Sequence, residues 1–252
     1  MRERRGVAVQ AGRLHAWAMP RGLRLVLLLL VAAAARPAAA QQPPAPPLAE
    51  AAPLTAPANV PAMTFTLVTG EADACGPGCS RWIAAEGVIV ADTPIAFFEF
   101  AKRLEGARPP LLIQSEGGVV EAAMALGRQV RRAGLATMVA RTDRSGALPQ
   151  PALDGTCHGA CLYLLIGGTE RSLAPGADLS ISPISFDGPA GEPFPEAMRQ
   201  RLIAGVLVRI RAYLGEMGVD PGLAAFLDGE RYEGFFPTRG FLDRHAILTR
   251  DP

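Results

Sequence analysis

Lysine is nearly missing from this 252-residue chain, with Lys102 as its single representative. A serine–lysine dyad therefore has one candidate base, and Lys102 stands beside Arg103 on what reads as the solvated face of a helix. Histidine is almost as scarce: His15, His158 and His245 are the complete set. A hydroxyl nucleophile at neutral pH needs a nearby base, so beyond the N-terminal region an imidazole mechanism has only His158 and His245 to draw on. Long hydrophobic runs are also lacking. Leu25–Ala35 holds eleven apolar residues, about half of the roughly 20 that span a bilayer.

What surrounds that run gives it a meaning. Residues 1–24 carry several arginines and one acidic residue, Glu3. Arg36, Pro37 and the small residues Ala38, Ala39 and Ala40 follow the apolar stretch. A basic region, a short apolar core and an A-x-A end predict a secretory signal peptide over 1–40, cleaved after Ala40. An uncleaved anchor is the alternative. The basic region is long for a signal, and Met19 opens a more typical one, so translation is expected to start there. Cleavage leaves 18 basic against 23 acidic residues, a net −5. No basic patch remains to point to nucleic acid as a partner.

Residues 41–62 are almost entirely Pro, Ala and Gln without apolar periodicity. Such a segment buries too little surface to offset its ordering entropy and predicts a flexible tether. Residues 63–252 suit one domain with a sizeable core. The four cysteines, Cys75, Cys79, Cys157 and Cys161, all fall within it. In an exported chain two disulfides are the default. Three connectivities exist; local Cys75–Cys79 and Cys157–Cys161 bridges fit the spacing, and a cross pairing stays open. A zinc site built from two C-x-x-x-C pairs, with His158, is the rival reading.

Strand and helix signals alternate along the domain. Trp82–Val90 reads as a buried strand. Asp92 and Thr93 offer cap oxygens before Pro94, and Ile95–Leu104 reads as a helix. Pro110–Gln114 is a short strand, and Val119–Ala133 an amphipathic helix closed by Gly134. Leu135–Ala140 is a strand, 141–156 a polar loop, Gly159–Ile166 a short buried helix and Ala177–Ser182 a strand. A long helix over Pro195–Met217 and a short one near Pro221–Leu227 precede an irregular tail. The alternation predicts βαβ units around a largely parallel sheet.

In such sheets ligands bind beyond the carboxyl ends of the strands. Two segments meet that description: the strand-to-helix turn Ser115-Glu116-Gly117-Gly118, and Thr156-Cys157-His158-Gly159-Ala160-Cys161 before the apolar Leu162–Ile166. Paired glycines permit a tight turn and leave an amide with no side chain in front of it. An amide at a helix start can hold an oxyanion.

Together these segments resemble the Clp protease proteolytic subunit and the wider Clp/crotonase superfamily. The chain is most similar to exported bacterial members, whose pattern joins a cysteine pair, a W-I-x-A-x-G-x-I strand and S-P-G-G. A G-R-x-I-R-like helix, a C-x-S-A-C segment and a G-G-x-x-R turn complete that pattern. Here the matches are Cys75, Cys79, Trp82–Ile89, Ser115–Gly118, Gly127-Arg128, Val130-Arg131, Cys157–Cys161 and Gly167–Arg171. The resemblance covers roughly 75–185 and implies a single-domain Clp/crotonase-like α/β fold. It further implies that Gly117, Gly118, Gly159 and Ala160 supply the backbone amides of an oxyanion pocket.

The same resemblance exposes two empty slots. Gly159 stands where active peptidases carry the serine nucleophile. The Gly176-Ala177 step leads to Ser180-Ile181-Ser182-Pro183, which puts Ser182 in the histidine slot. Glu116 replaces the proline of the S-P-G-G turn. A relocated pair of Ser182 with His158 as the substitute base is one enzymatic alternative. A crotonase-type reaction on the backbone amides, assisted by Glu116 or Glu121, is a second; export argues against it because its thioester substrates are cytoplasmic. A Cys157 nucleophile beside His158 is a third, opposed by the expected disulfide.

The expectation is an exported peptidase-like protein that has lost its catalytic serine and histidine. Its role would be binding or assembly in the periplasm, with no cofactor and no metal. The partner would be a peptide, an envelope protein or another copy of the chain. For the last, Leu202, Val206, Ile210, Tyr213 and Leu214 offer an apolar stripe that core packing also explains. An exported serine peptidase with a relocated dyad is the runner-up.

Overall fold

The computed structural model describes residues 60–186, 194–228 and 234–250. The expected signal peptide and most of the tether lie outside the described residues. Backbone pairing begins at Pro61, whose carbonyl accepts from Val88 N at 2.9 Å.

The main sheet has five strands: β1 (Thr64–Thr69), β2 (Arg81–Glu86), β3 (Leu111–Gln114), β4 (Thr137–Val139) and β8 (Arg171–Leu173). They lie side by side in that order. β1 runs antiparallel to β2, and the other neighbours are parallel. Trp82, Ile83, Ala84 and Ala85 are all buried, because β2 is covered on both faces. That is why its sequence is a continuous apolar run rather than an alternation. The predicted strand over 82–90 is interrupted at Gly87 (φ 120°). Val88 and Ile89 then leave the sheet to bridge Ala62 and Gly118.

Helix α1 (Thr93–Ala101) carries Pro94 in its first turn, and a 3-10 turn over Lys102–Leu104 extends it. Asp92 stands at the cap position without a side-chain cap hydrogen bond, and Thr93 Oγ1 instead accepts from Val90 N, ahead of the helix, at 2.9 Å. Phe97 packs edge-on against Phe65 with ring centroids 5.0 Å apart, locking the helix over β1. Helix α2 (Val120–Ala133) ends at Gly134, which takes the left-handed conformation at φ 68°. Helix α3 (Cys161–Ile166) is buried along its whole length, which accounts for its unbroken apolar sequence.

The polar loop expected over 141–156 contains a hairpin, β5 (Arg141–Asp143) with β6 (Gln150–Ala152). Its Thr142 accepts a hydrogen bond from the buried Trp82 indole at 3.0 Å. Two further strands, β7 (Thr156–Cys157) and β9 (Asp178–Leu179), pair in parallel outside the main sheet. Helix α4 (Glu196–Glu216) buries Ile203, Val206, Leu207, Ile210, Tyr213 and Leu214. Its apolar stripe therefore packs within this chain. A 3-10 turn over Pro221–Leu227 follows, and the predicted irregular tail holds one more helix, α5 (Arg239–Arg244). No helix among the described residues is long and apolar enough to cross a membrane.

The cysteines pair locally, Cys75 with Cys79 and Cys157 with Cys161. This closes the question of connectivity and removes all four thiolates from metal or nucleophilic chemistry.

Candidate functional site

The two turns singled out in the sequence meet beyond the carboxyl end of β3. A parallel bridge joins Ser115 to Cys157. Ser115 N donates to Thr156 O at 2.9 Å and His158 N donates to Ser115 O at 3.0 Å. With Ser115 opposite Cys157, strand periodicity turns Gln114 and Glu116 to the same face as Thr156 and His158. The side chains pair accordingly. Gln114 Nε2 donates to Thr156 Oγ1 at 2.7 Å, and Thr156 N donates back to Gln114 Oε1 at 2.7 Å. Thr156 Oγ1 donates to Glu116 Oε1 at 3.2 Å, and Glu116 Oε2 lies 2.9 Å from His158 Nδ1.

β9 supplies the other flank. Its register sets Asp178 opposite Thr156, and Asp178 Oδ2 lies 3.6 Å from His158 Nε2. That nitrogen is sealed from solvent and has no hydrogen-bond partner. The imidazole is thus held between two half-exposed carboxylates, one hydrogen-bonded and the other beyond hydrogen-bond range. Phe236 stands edge-on to the ring with centroids 6.2 Å apart. It is placed there by the antiparallel bridge of Ile181 with Phe235, and most of its own surface is exposed.

Beside this cluster lies a cleft of about 280 Å³. Glu116, Gly118, His158, Gly159, Ala160, Tyr163 and the segment Ser182–Ser185 line it. It gathers every position the resemblance assigned to the pocket except Gly117, whose amide is taken by Ser115 Oγ at 3.2 Å. Gly118 has φ 133°, and a Cβ built on it would sit 2.0 Å from Ile89 O. Only glycine fits there. Gly117 O and Val119 N both bond to Ile89, so the Gly118 amide faces away from that strand. Among the described residues no carbonyl or side chain accepts from the amides of Gly118, Gly159 or Ala160. They are the donors available to a bound oxygen.

Gly159 has φ 51°, and a Cβ there would meet nothing within 4 Å. Its slot opens into free space. Ser182, exposed and lining the same cleft, shares no hydrogen bond with any base among the described residues. The cleft therefore contains amide donors, the Glu116 carboxylate and one imidazole, but among the described residues no hydroxyl coupled to that imidazole. His245 is not part of it. It is nearly buried near the C-terminus, with Nδ1 2.8 Å from Asp220 Oδ2, and caps the packing of Phe226 and Phe241. Lys102 is paired with Glu99 at 2.7 Å on the exposed face of α1. Glu121 pairs with Arg209 of α4.

Gln114, Thr156, Asp178 and Phe236 were not among the sequence candidates. The i, i+2 spacing of Gln114 with Glu116 and of Thr156 with His158 is the signal that would have found the first two. Asp178 and Phe236 come from distant segments and leave no local trace.

No family model matches the chain, and no curated protein does. Solved structures are similar to it at low identity. A mutant of the 1510-N membrane-bound stomatin-specific protease is 15% identical, covering 67% of this chain and 77% of that one, with TM-score 0.47. Another mutant of that protease, in complex with a substrate peptide, is also 15% identical, covering 67% and 73%, with TM-score 0.48. A mutant of ClpP1 from Listeria monocytogenes is 14% identical, covering 66% and 86%, with TM-score 0.46.

Proposed function

We propose that this chain is an exported, peptidase-like pseudoenzyme whose cleft binds rather than cleaves, serving as a periplasmic binding or assembly scaffold. One observation carries the reading: both nitrogens of the cleft imidazole are committed to carboxylates or sealed off, and no hydroxyl reaches either. A serine mechanism needs a nucleophile hydrogen-bonded to its base, and Gly159 stands where the resemblance puts the nucleophile. The free amides of Gly118, Gly159 and Ala160 still suit a peptide carbonyl, so an extended segment of a peptide or envelope protein is the ligand the cleft fits best. Two disulfides and the signal-like N-terminus support an oxidising compartment.

A serine hydrolase with a relocated Ser182–His158 pair is the competing reading, because both residues line one cleft. Labelling of the purified protein with a fluorophosphonate probe, followed by peptide mapping, separates the two. The expected result is no labelled serine beside a fully labelled active peptidase of the same fold. Stoichiometric modification of Ser182, lost on heat denaturation and in His158→Ala, would overturn the pseudoenzyme reading.

A further inference from the structure

At the opposite end of the strands from the cleft lies a larger groove of about 680 Å³. Its floor is Leu67 of β1 and Leu104. Its walls are the chain entering β2, Gly78–Arg81, and the chain leading into β3, Ala107–Pro110. Three arginines line it, Arg81, Arg103 and Arg108, against one carboxylate, Glu105. All three are exposed.

Arg128, Arg141, Arg144, Arg209 and Arg250 each hold a carboxylate, and Arg131 and Arg171 hold backbone carbonyls. Among the described residues none of the three groove arginines holds a carboxylate. Arg132, Arg201, Arg211 and Arg244 likewise hold none among the described residues, so what distinguishes these three is that they line one groove. Arg103 rests its guanidinium over the Phe100 ring, 5.2 Å from the centroid. Arg108 lies against Gly134 at the end of α2. In both residues the guanidinium itself makes the contact, and no carboxylate among the described residues neutralises it. The chain beyond residue 40 is net acidic, so a local excess of positive charge in a concave wall focuses an attractive field on anions. The Cys75–Cys79 bridge holds the loop that delivers Arg81.

We infer that this groove is a binding site for a ligand carrying more than one phosphate charge. Guanidinium forks match phosphate oxygens in pairs. The volume exceeds what one small anion fills and falls in the range of small-molecule sites, roughly 300–1,000 Å³. A free polyphosphate and a phosphodiester lipid headgroup present the same chemistry.

The test uses the purified full chain and two probes. Tripolyphosphate is titrated calorimetrically at low and at physiological salt. Vesicles of phosphatidylglycerol are co-sedimented against vesicles of phosphatidylcholine. R81Q/R103Q/R108Q is compared with R132Q/R201Q/R211Q, which removes the same charge from exposed positions outside the groove. Wild type should bind one probe or both, more weakly as salt rises. The groove variant should lose roughly tenfold per arginine, and the control should keep wild-type affinity. Binding of tripolyphosphate alone assigns a soluble ligand; binding of the anionic vesicles, displaced by tripolyphosphate, assigns a headgroup. No binding by wild type, or equal loss in both variants, would overturn the site.

Discussion

Arg131 and Arg171 form a pair whose energetics should be visibly cooperative. Arg171, only 4% exposed, donates to Ile166 O (3.3 Å), Met217 O (2.9 Å) and Ala246 O (3.0 Å). Arg131 reaches Ile166 O (2.9 Å) and Met217 O (3.3 Å) as well, and adds Gly167 O and Gly168 O at 2.8 Å each. Two carbonyls are therefore shared, and each arginine covers them when the other is removed. R171M leaves only Ala246 O without its donor, and R131M only Gly167 O and Gly168 O. An unsatisfied buried acceptor costs about 1–3 kcal/mol, so R131M should lose roughly that amount for each of Gly167 O and Gly168 O. R171M orphans only the carbonyl of the exposed Ala246, which water can reach, and should lose less. Each also gains from relief of repulsion: burial, and then the Arg131 charge, push the Arg171 guanidinium down to about 10. In the double variant that relief comes once rather than twice, and Ile166 O and Met217 O are orphaned together. Its destabilisation should exceed the sum of the singles by about 1–3 kcal/mol for each of these two carbonyls. For a domain of this size that excess lowers Tm by about 2–4 °C per kcal/mol. Urea unfolding of the four proteins gives the cycle. Additivity within about 0.5 kcal/mol would refute the shared-carbonyl account.

Gly118→Ala should abolish the native fold around the cleft, because the added Cβ meets backbone at 2.0 Å and cannot be accommodated by a rotamer change. Circular dichroism and hydrogen exchange at Ile89 and Val119 report it, and a G118A protein with native spectra and protection would contradict the close approach. Asp220 is held below the usual carboxylate range by the Gly222 amide and then by His245. A depressed carboxylate stabilises the fold above its unfolded pKa, and that contribution disappears as pH falls through the folded value. The Tm gap between wild type and Asp220→Asn should thus be full at pH 7 and close below about pH 4. An unchanged gap at pH 3 would show that the carboxylate's charge is irrelevant.

How far the sequence could be read depends on how local the determining physics is. The α1 and α2 boundaries were legible because Pro94 and Gly134 act within one turn of themselves. The two-turn cleft was legible because each turn carries its own glycines, and the topology brings strand ends together. β1 was overlooked although Thr64–Thr69 alternates. β8 is three residues long and carries a buried arginine, which no apolar pattern announces. The β5–β6 hairpin is pinned from outside by the Trp82–Thr142 bond, a contact 60 residues apart in the chain. The sequence offers Glu116 as an assisting carboxylate beside the backbone amides, whereas its oxygens go to Thr156 and His158. That partnership depends on the register between two strand ends, which only the folded chain defines.

The Cys157–Cys161 bridge has a kinetic consequence. Both sulfurs are fully buried, directly beneath the turn that carries His158, Gly159 and Ala160. Oxidant has to reach them before Leu162–Ile166 closes over, so bond formation precedes the last packing step. By the same geometry a reductant attacks only after the core opens. The rate at which these two thiols appear under reductant is therefore a clock for opening of the domain. The half-exposed Cys75–Cys79 bridge on the same chain supplies the fast reference against which that clock is read.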